Sequence, residues 1–164
     1  MPLRNLIFLS GLVLAVVALS PAAAMGAAKG TDRPLKGTTT STTTINLITG
    51  AGTTVSSGQM SHLGAVTGSQ NAQFALVGPN GFSFMGTSTT VAANGDELFT
   101  TVSGAGTLGP PVQSTAVYTI TGGTGRFADA SGTFTNTAIS TSVSIVESTE
   151  TVTSTHTLEG TISY

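Results

Sequence analysis

The side chains of this sequence that could do chemistry are few. Cysteine is absent, His62 and His156 are the only histidines, and Tyr118 is one of two tyrosines. Each of these three lies on the apolar side of an alternating pattern, so we expect hydrogen-bonding groups inside a pocket rather than on a wet surface. The predicted ligand-binding residues are these three and one phenylalanine on an inward face: His62, Phe84, Tyr118 and His156.

Metal and acid-base chemistry find little support in the sequence. Stable zinc sites use three or four ligands, and two histidines without a partner at fixed spacing fall short. Asp96 and Glu97 are neighbours beside a predicted turn, whereas acid-base carboxylates must converge in space. A nucleophile motif G-x-S-x-G is also missing. We therefore predict no metal site and leave catalytic residues unknown.

One glycine-rich stretch has the spacing of a dinucleotide loop. Residues 123–128, GTGRFA, satisfy G-x-G-x-x-G/A after a predicted strand. That motif works only when a helix follows and points its N-terminus at the phosphates. The following residues, 129–135, are too short and too rich in glycine and threonine for a helix. We predict no cofactor and interpret the stretch as a structural corner made by Gly122, Gly123, Gly125, Arg126 and Phe127.

The N-terminus predicts export. Arg4 precedes an apolar run over residues 6–19, and Ala22-Ala23-Ala24 offers a cleavage site, so residues 1–24 read as a signal peptide. The run is shorter than the roughly 20 residues that cross a bilayer, so no membrane span is expected in the mature form. Residues 25–37 mix breakers and charges and are predicted to be a flexible leader, with the folded domain at 38–164. The expected location is extracellular or periplasmic.

Charge excludes one class of partner. The mature part carries only four cations, three of them before residue 37, so it cannot build a basic face for nucleic acid. Without cysteine, an exported domain of about 140 residues must be held by packing.

The remaining chain is typical of an all-β domain. Thr, Val, Ile and Phe are punctuated by Gly, Asn and Pro, and no helical period follows the signal peptide. Asn94-Gly95 predicts a type I′ hairpin turn, and a change of apolar parity predicts a bulge near 138–140. The alternation of threonines with apolar residues in the last strand predicts a solvent-exposed threonine face opposite a core face. The predicted strands are 39–48, 53–68, 72–77, 82–91, 96–104, 114–121, 131–146 and 149–163, mainly antiparallel.

The corner at 122–132, GGTGRFADASG, resembles that of the allene oxide cyclase and dirigent families, above all exported bacterial proteins with an allene oxide cyclase barrel-like domain. The segments SHLGAVTG (61–68) and NGDEL (94–98) and the closing GTISY are similar to those proteins too. The resemblance covers most of residues 38–164. It implies a closed, eight-stranded, antiparallel, calycin-like β-barrel, which agrees with the strand count.

Three functions stay open at this point. The favoured one is a secreted barrel that binds a small apolar molecule, or acts at the cell surface, without catalysis. The resemblance also implies an alternative, a cyclase-like isomerase that steers a reactive hydrophobic substrate. The third is a structural or self-associating surface protein, whose barrel would be filled by phenylalanines. Ligand identity and oligomeric state are not predicted.

Overall fold

A computed structural model describes residues 30–164, which form a single closed antiparallel barrel of eight strands. Each strand pairs with its neighbours in the chain, and the last pairs with the first. The predicted all-β fold is confirmed. The signal-peptide prediction lies outside the described residues. The strands are β1 (Arg33–Asn46), β2 (Ala51–Met60), β3 (Gly64–Val77), β4 (Gly81–Val91), β5 (Glu97–Thr107), β6 (Gln113–Gly123), β7 (Ser131–Val146) and β8 (Thr149–Ser163).

Side chains alternate between the barrel interior and the solvent along every strand. On β8, Val152, Leu158 and Ile162 are buried, while Thr155 and Thr157 are exposed, which confirms the predicted faces. Threonine suits the outer face because its branched Cβ favours extended backbone and its hydroxyl remains hydrated.

The strand connections divide the barrel into two ends. We call the end with connections 47–50, 78–80, 108–112 and 147–148 the open end. The closed end has connections 61–63, 92–96 and 124–130, together with both ends of the described chain. Here Gly30 and Tyr164 exchange two backbone hydrogen bonds, of 2.8 and 3.0 Å.

A hydrophobic core fills the closed end. Phe127, Leu35, Leu63, Leu98 and Ile162 are its largest fully buried side chains. Phe127 arrives on a short 3-10 helix, Gly125–Phe127, that follows the glycine corner between β6 and β7. Large side chains therefore block the barrel at this end, whereas the other half is packed differently.

Two boundaries differ from the sequence prediction. β1 begins at Arg33, inside the predicted leader, and Leu35 is completely buried there. The predicted strand 53–68 is divided by a turn at 61–63, where His62 has a φ of 68°. Leu63 lies in that turn yet is buried, so the apolar pattern of the sequence does not distinguish it from an inward-facing strand residue. Consequently β3 continues through residues 69–71, where a break was expected.

The predicted turn and bulge lie close to their expected places. Connection 92–96 contains Asn94-Gly95, but only Gly95 has a positive φ, 86°, so the turn is not type I′. The Asn94 side chain bonds Asp96 instead. The pairing of β7 with β8 shifts register between Ser140 and Ser142, just after the predicted bulge.

Candidate ligand-binding cavity

The open end leads into a cavity of ≈ 370 Å³. Small-molecule pockets typically measure about 300–1,000 Å³, so this space lies at the lower end of that range. The cavity occupies the half of the barrel that the closed-end core leaves unfilled. Its lining inside the barrel includes Thr43, Ile45, Thr54, Phe74, Phe82, Phe84, Ala116, Ala138, Val152 and Ser154.

Three phenylalanines make one wall of the cavity. Phe74 lies on β3, and Phe82 and Phe84 lie on β4. The Phe74 and Phe84 ring centroids are 5.2 Å apart with an interplanar angle of 22°, and Phe82 stacks on Phe84 at 6.2 Å. The wall is thus a continuous aromatic surface rather than three separate projections.

Glycines on the neighbouring strand allow these rings to lie flat. Phe84 pairs with Gly104, and Phe82 pairs with Gly106, across β4 and β5. A Cβ on Gly104 would lie 2.5 Å from Cζ of Phe84, and one on Gly106 would overlap the Phe82 ring. The rings therefore occupy the space of missing side chains. For this reason β5 contributes no side chain to the cavity lining.

The remaining strands contribute mostly small side chains at this level. Thr43, Thr54, Ser114, Ala138 and Ser154 all line the cavity. The sizes of the inward residues account for the cavity, because the closed half carries leucine, methionine and phenylalanine at the equivalent inward positions.

Polar side chains from five strands form a layer at the inner limit of the cavity. The Ser41 Oγ lies 2.7 Å from His156 Nε2, and His156 Nδ1 lies 3.1 Å from Asn136 Oδ1. The amide of Asn136 also bonds the Tyr118 hydroxyl. That hydroxyl donates to Gln70 Oε1 over 2.6 Å. We call these five residues the polar layer.

The hydrogen bonds of the polar layer run in one direction. Asn136 Oδ1 can only accept, so the proton of neutral His156 is on Nδ1, and Nε2 accepts from the Ser41 hydroxyl. Asn136 then donates through its amide nitrogen to Tyr118, which donates to Gln70. The series of hydrogen bonds ends at the Gln70 side chain, which also lines the cavity.

Burial keeps both titratable members of the layer uncharged at neutral pH. Desolvation lowers the pKa of His156 below its usual 6.5. Desolvation also raises the pKa of Tyr118 above 10, and the hydrogen bond from Asn136 offsets part of this rise. The layer therefore offers neutral hydrogen-bonding groups rather than charges.

A smaller space of ≈ 60 Å³ lies on the closed-end side of the polar layer. Four members of the layer, together with Thr54, line both spaces and so stand between them. Hydroxyl groups of Ser41, Ser56 and Ser88 line the inner space, which is polar enough to hold water.

The structure brings together three of the four predicted ligand-binding residues. Phe84, Tyr118 and His156 line the cavity. His62 lies at the closed end instead, with its ring 3.0 Å from the Pro34 carbonyl oxygen. The expectation that His62 faces inward is wrong, because the turn at 61–63 ends the alternation that places Met60 inside.

The glycine corner also belongs to the closed end. Gly122 and Gly125 have positive φ values of 130° and 52°. Arg126 donates to the carbonyl of His62 over 2.7 Å and lies 3.8 Å from an Asp96 carboxylate oxygen. These contacts tie three closed-end connections together, far from the cavity.

Sequence reasoning missed Gln70, Asn136 and Ser41. Gln70 fell in the predicted break at 69–71, which hid its place in an inward alternation. Asn136 and Ser41 do alternate with inward residues, at Phe134 and Ala138 and at Thr39 and Thr43, and this parity was the available indication.

Two further features are absent from residues 30–164. No group of three or more His, Cys, Asp or Glu side chains is placed to hold a metal ion there. That part of the chain also has no helix both long and apolar enough to cross a membrane.

No protein-family model, curated protein or solved structure matches this chain.

Proposed function

We propose that this protein is a secreted β-barrel that binds one small, uncharged, mostly apolar molecule in its cavity. The observation that carries this proposal is the combination of a stacked aromatic wall with a neutral polar layer in a cavity of ≈ 370 Å³. Apolar surface supplies the affinity of such sites, and a few polar groups orient the ligand. The export prediction and the resemblance of the glycine corner to allene oxide cyclase barrel-like proteins both support this reading.

The charges around the cavity favour a neutral ligand. No lysine or arginine lines it, and its one charged lining residue is Glu150, near the mouth. A carboxylate bound beside the polar layer would lose its hydration without gaining a cation, which is costly. Fatty acids in their ionised form are therefore poor candidates, whereas alcohols, ketones and esters avoid that cost.

The direction of the hydrogen-bond chain favours a ligand with an acceptor. The series of hydrogen bonds that starts at Ser41 ends at the Gln70 amide, whose nitrogen is a donor that a ligand oxygen could use. If a carbonyl or ether oxygen of the ligand accepted from the Gln70 amide, the apolar part of the ligand would lie against Phe74 and Phe84. The proposed ligand class is a neutral hydrophobic molecule with one oxygen acceptor.

An isomerase is the second candidate. A cavity that fixes a flexible substrate in one conformer can accelerate its cyclisation without covalent help. Tyr118 supports this candidate, since its side chain packs against the cluster that contains Phe84 and its hydroxyl belongs to the polar layer. Analysis of whether a bound ligand is released unchanged or altered separates the two functions.

Native mass spectrometry of the exported protein tests the binding proposal. We expect a bound neutral molecule, or a thermal shift with neutral ketones and esters that exceeds the shift with carboxylates of equal chain length. Ala138→Phe should abolish both, because Ala138 lines the cavity. Ile139→Phe is the matched control, since the neighbouring Ile139 is exposed on the outer face.

A protein that carries no ligand and shows no thermal shift across a hydrophobic panel would overturn the proposal and favour a surface role. Equal loss of binding in both variants would also contradict it.

A further inference from the structure

All four connections of the open end carry exposed apolar side chains, either in the connection or at the strand end beside it. Ile48 is 80% exposed, Leu76 is 76% exposed and Val146 is 71% exposed. Single exposed apolar residues are ordinary, but a set gathered on one end marks an interaction surface. We call this set the apolar collar: Leu47, Ile48, Leu76, Val77, Leu108, Ile145 and Val146.

The apolar collar continues into the cavity. Leu47, Ile48, Leu76 and Leu108 belong to the collar and also line the cavity mouth. An apolar phase that covered the collar would therefore touch the cavity opening directly, where the polar lining residues are Asn46, Thr49 and Glu150.

Charge is distributed unequally between the two ends. Within residues 30–164 the cations are Arg33, Lys36 and Arg126, and all three lie toward the closed end. The open end carries Glu147, in the last connection, and Glu150. Anionic membranes attract proteins through basic residues near the surface, and this end offers only carboxylates.

We propose that the apolar collar docks the mouth of the barrel on a neutral, zwitterionic lipid surface. The exposed apolar side chains project from four separate connections around the mouth. A fluid lipid interface can accommodate such separate side chains, because it needs no fixed shape complementarity. The absence of cations at this end of the described chain selects zwitterionic over anionic headgroups. Docking is a property of the collar and does not depend on the ligand proposed above.

Tryptophan fluorescence tests the proposal cleanly, because the sequence contains no tryptophan. In Ile48→Trp, and separately in Leu76→Trp, we expect emission to shift to the blue on addition of phosphatidylcholine vesicles, and brominated lipid to quench it. Val55→Trp is the matched control, since Val55 is 63% exposed but lies on the outer wall of β2. Its emission should not change.

Two substitutions in this end of the barrel should change vesicle binding in opposite directions. Ile48→Ser should weaken vesicle partitioning about tenfold, the effect of withdrawing one aliphatic side chain from lipid. Glu147→Gln should strengthen it, because a charge near the interface is removed. Phosphatidylglycerol vesicles should bind less well than phosphatidylcholine vesicles.

Unchanged emission in both collar reporters would overturn the proposal. Stronger binding to anionic vesicles would overturn it as well. Light scattering that shows dimers, with loss of the dimer in Ile48→Ser, would assign the collar to a second copy of the chain instead. Because no hydrophobic ligand is added, these failures are distinct from failure of the ligand proposal.

Discussion

At the scale of single residues, the two histidines show how local backbone decides chemical environment. Both fall in similar alternating sequence, yet His156 contacts Ser41 and Asn136 inside the barrel, while His62 lies exposed in a turn. Alternation predicts which way a side chain points only as long as the strand continues. The turn at 61–63 interrupts it, and nothing in the apolar pattern there announces the interruption.

The lowered pKa of His156 predicts a loss of stability in mild acid. The unfolded chain gains this proton near pH 6.5, whereas the folded protein gains it only at lower pH. The unfolded state therefore binds more protons below about pH 6.5. As the pH is lowered, the free energy of unfolding decreases by at most about 1.4 kcal/mol per pH unit. Urea denaturation at pH 7.5 and pH 5.5 measures this loss.

His156→Gln should remove most of that pH dependence. The interval from pH 5.5 to 7.5 avoids ordinary carboxyl groups, which titrate near pH 4. Equal pH dependence in the wild type and His156→Gln would show that the ring is not the group responsible.

At the scale of elements, the aromatic wall depends on the register between β4 and β5. The sequence predicts that Phe82 and Phe84 face inward, and it leaves open a barrel filled by phenylalanine. In the structure both rings lie flat because glycines stand opposite them, and Phe99 is on the outer face. Strand positions follow from composition and turns, but ring placement needs cross-strand pairing, which a single sequence does not contain.

Gly104→Ala should close part of the cavity. The new Cβ would stand 2.5 Å from the Phe84 ring and 2.7 Å from Cβ of Ala116, so the ring must turn into the lumen. We expect destabilisation of about 1–3 kcal/mol, the usual cost of overpacking, together with weaker ligand binding. Denaturation and the ligand thermal shift measure the two effects.

Ser103→Ala, an outward neighbour on the same strand, is the control and should change neither quantity. Gly104→Ala combined with Phe84→Leu should recover only part of the lost stability, because the smaller side chain removes the clash with the ring but not the one with Cβ of Ala116. Full ligand binding in Gly104→Ala alone would contradict the role given to the glycine.

At the scale of the whole molecule, closure of the barrel explains why β1 starts earlier than predicted. Composition at 25–37 is typical of a leader, but the edge of β8 must be paired, and Arg33 to Lys36 extend β1 to pair it. Closure depends on pairing between the first and last strands, which the local composition of residues 25–37 does not indicate. The number of strands and their mainly antiparallel direction were predicted, whereas the start of β1 was not.

Leu35→Ala tests this extension of the barrel. Leu35 is completely buried in the closed-end core, so truncation should cost about 2–5 kcal/mol in folding free energy. Leu47→Ala removes the same atoms from a half-exposed position at the open end and should cost much less. Equal stability of Leu35→Ala and the wild type would contradict the extension of β1 and favour the predicted flexible leader at these residues.

The hydrogen-bonded pairing of Gly30 with Tyr164 has a consequence for engineering this scaffold. Since the two ends of the described chain already meet at the closed end, a short linker could join them into a circle. New termini could then be opened in connection 92–96, also at the closed end, without altering the mouth. Circular permutants of this kind, and fusions or surface tethers made at the same end, would present the cavity outward.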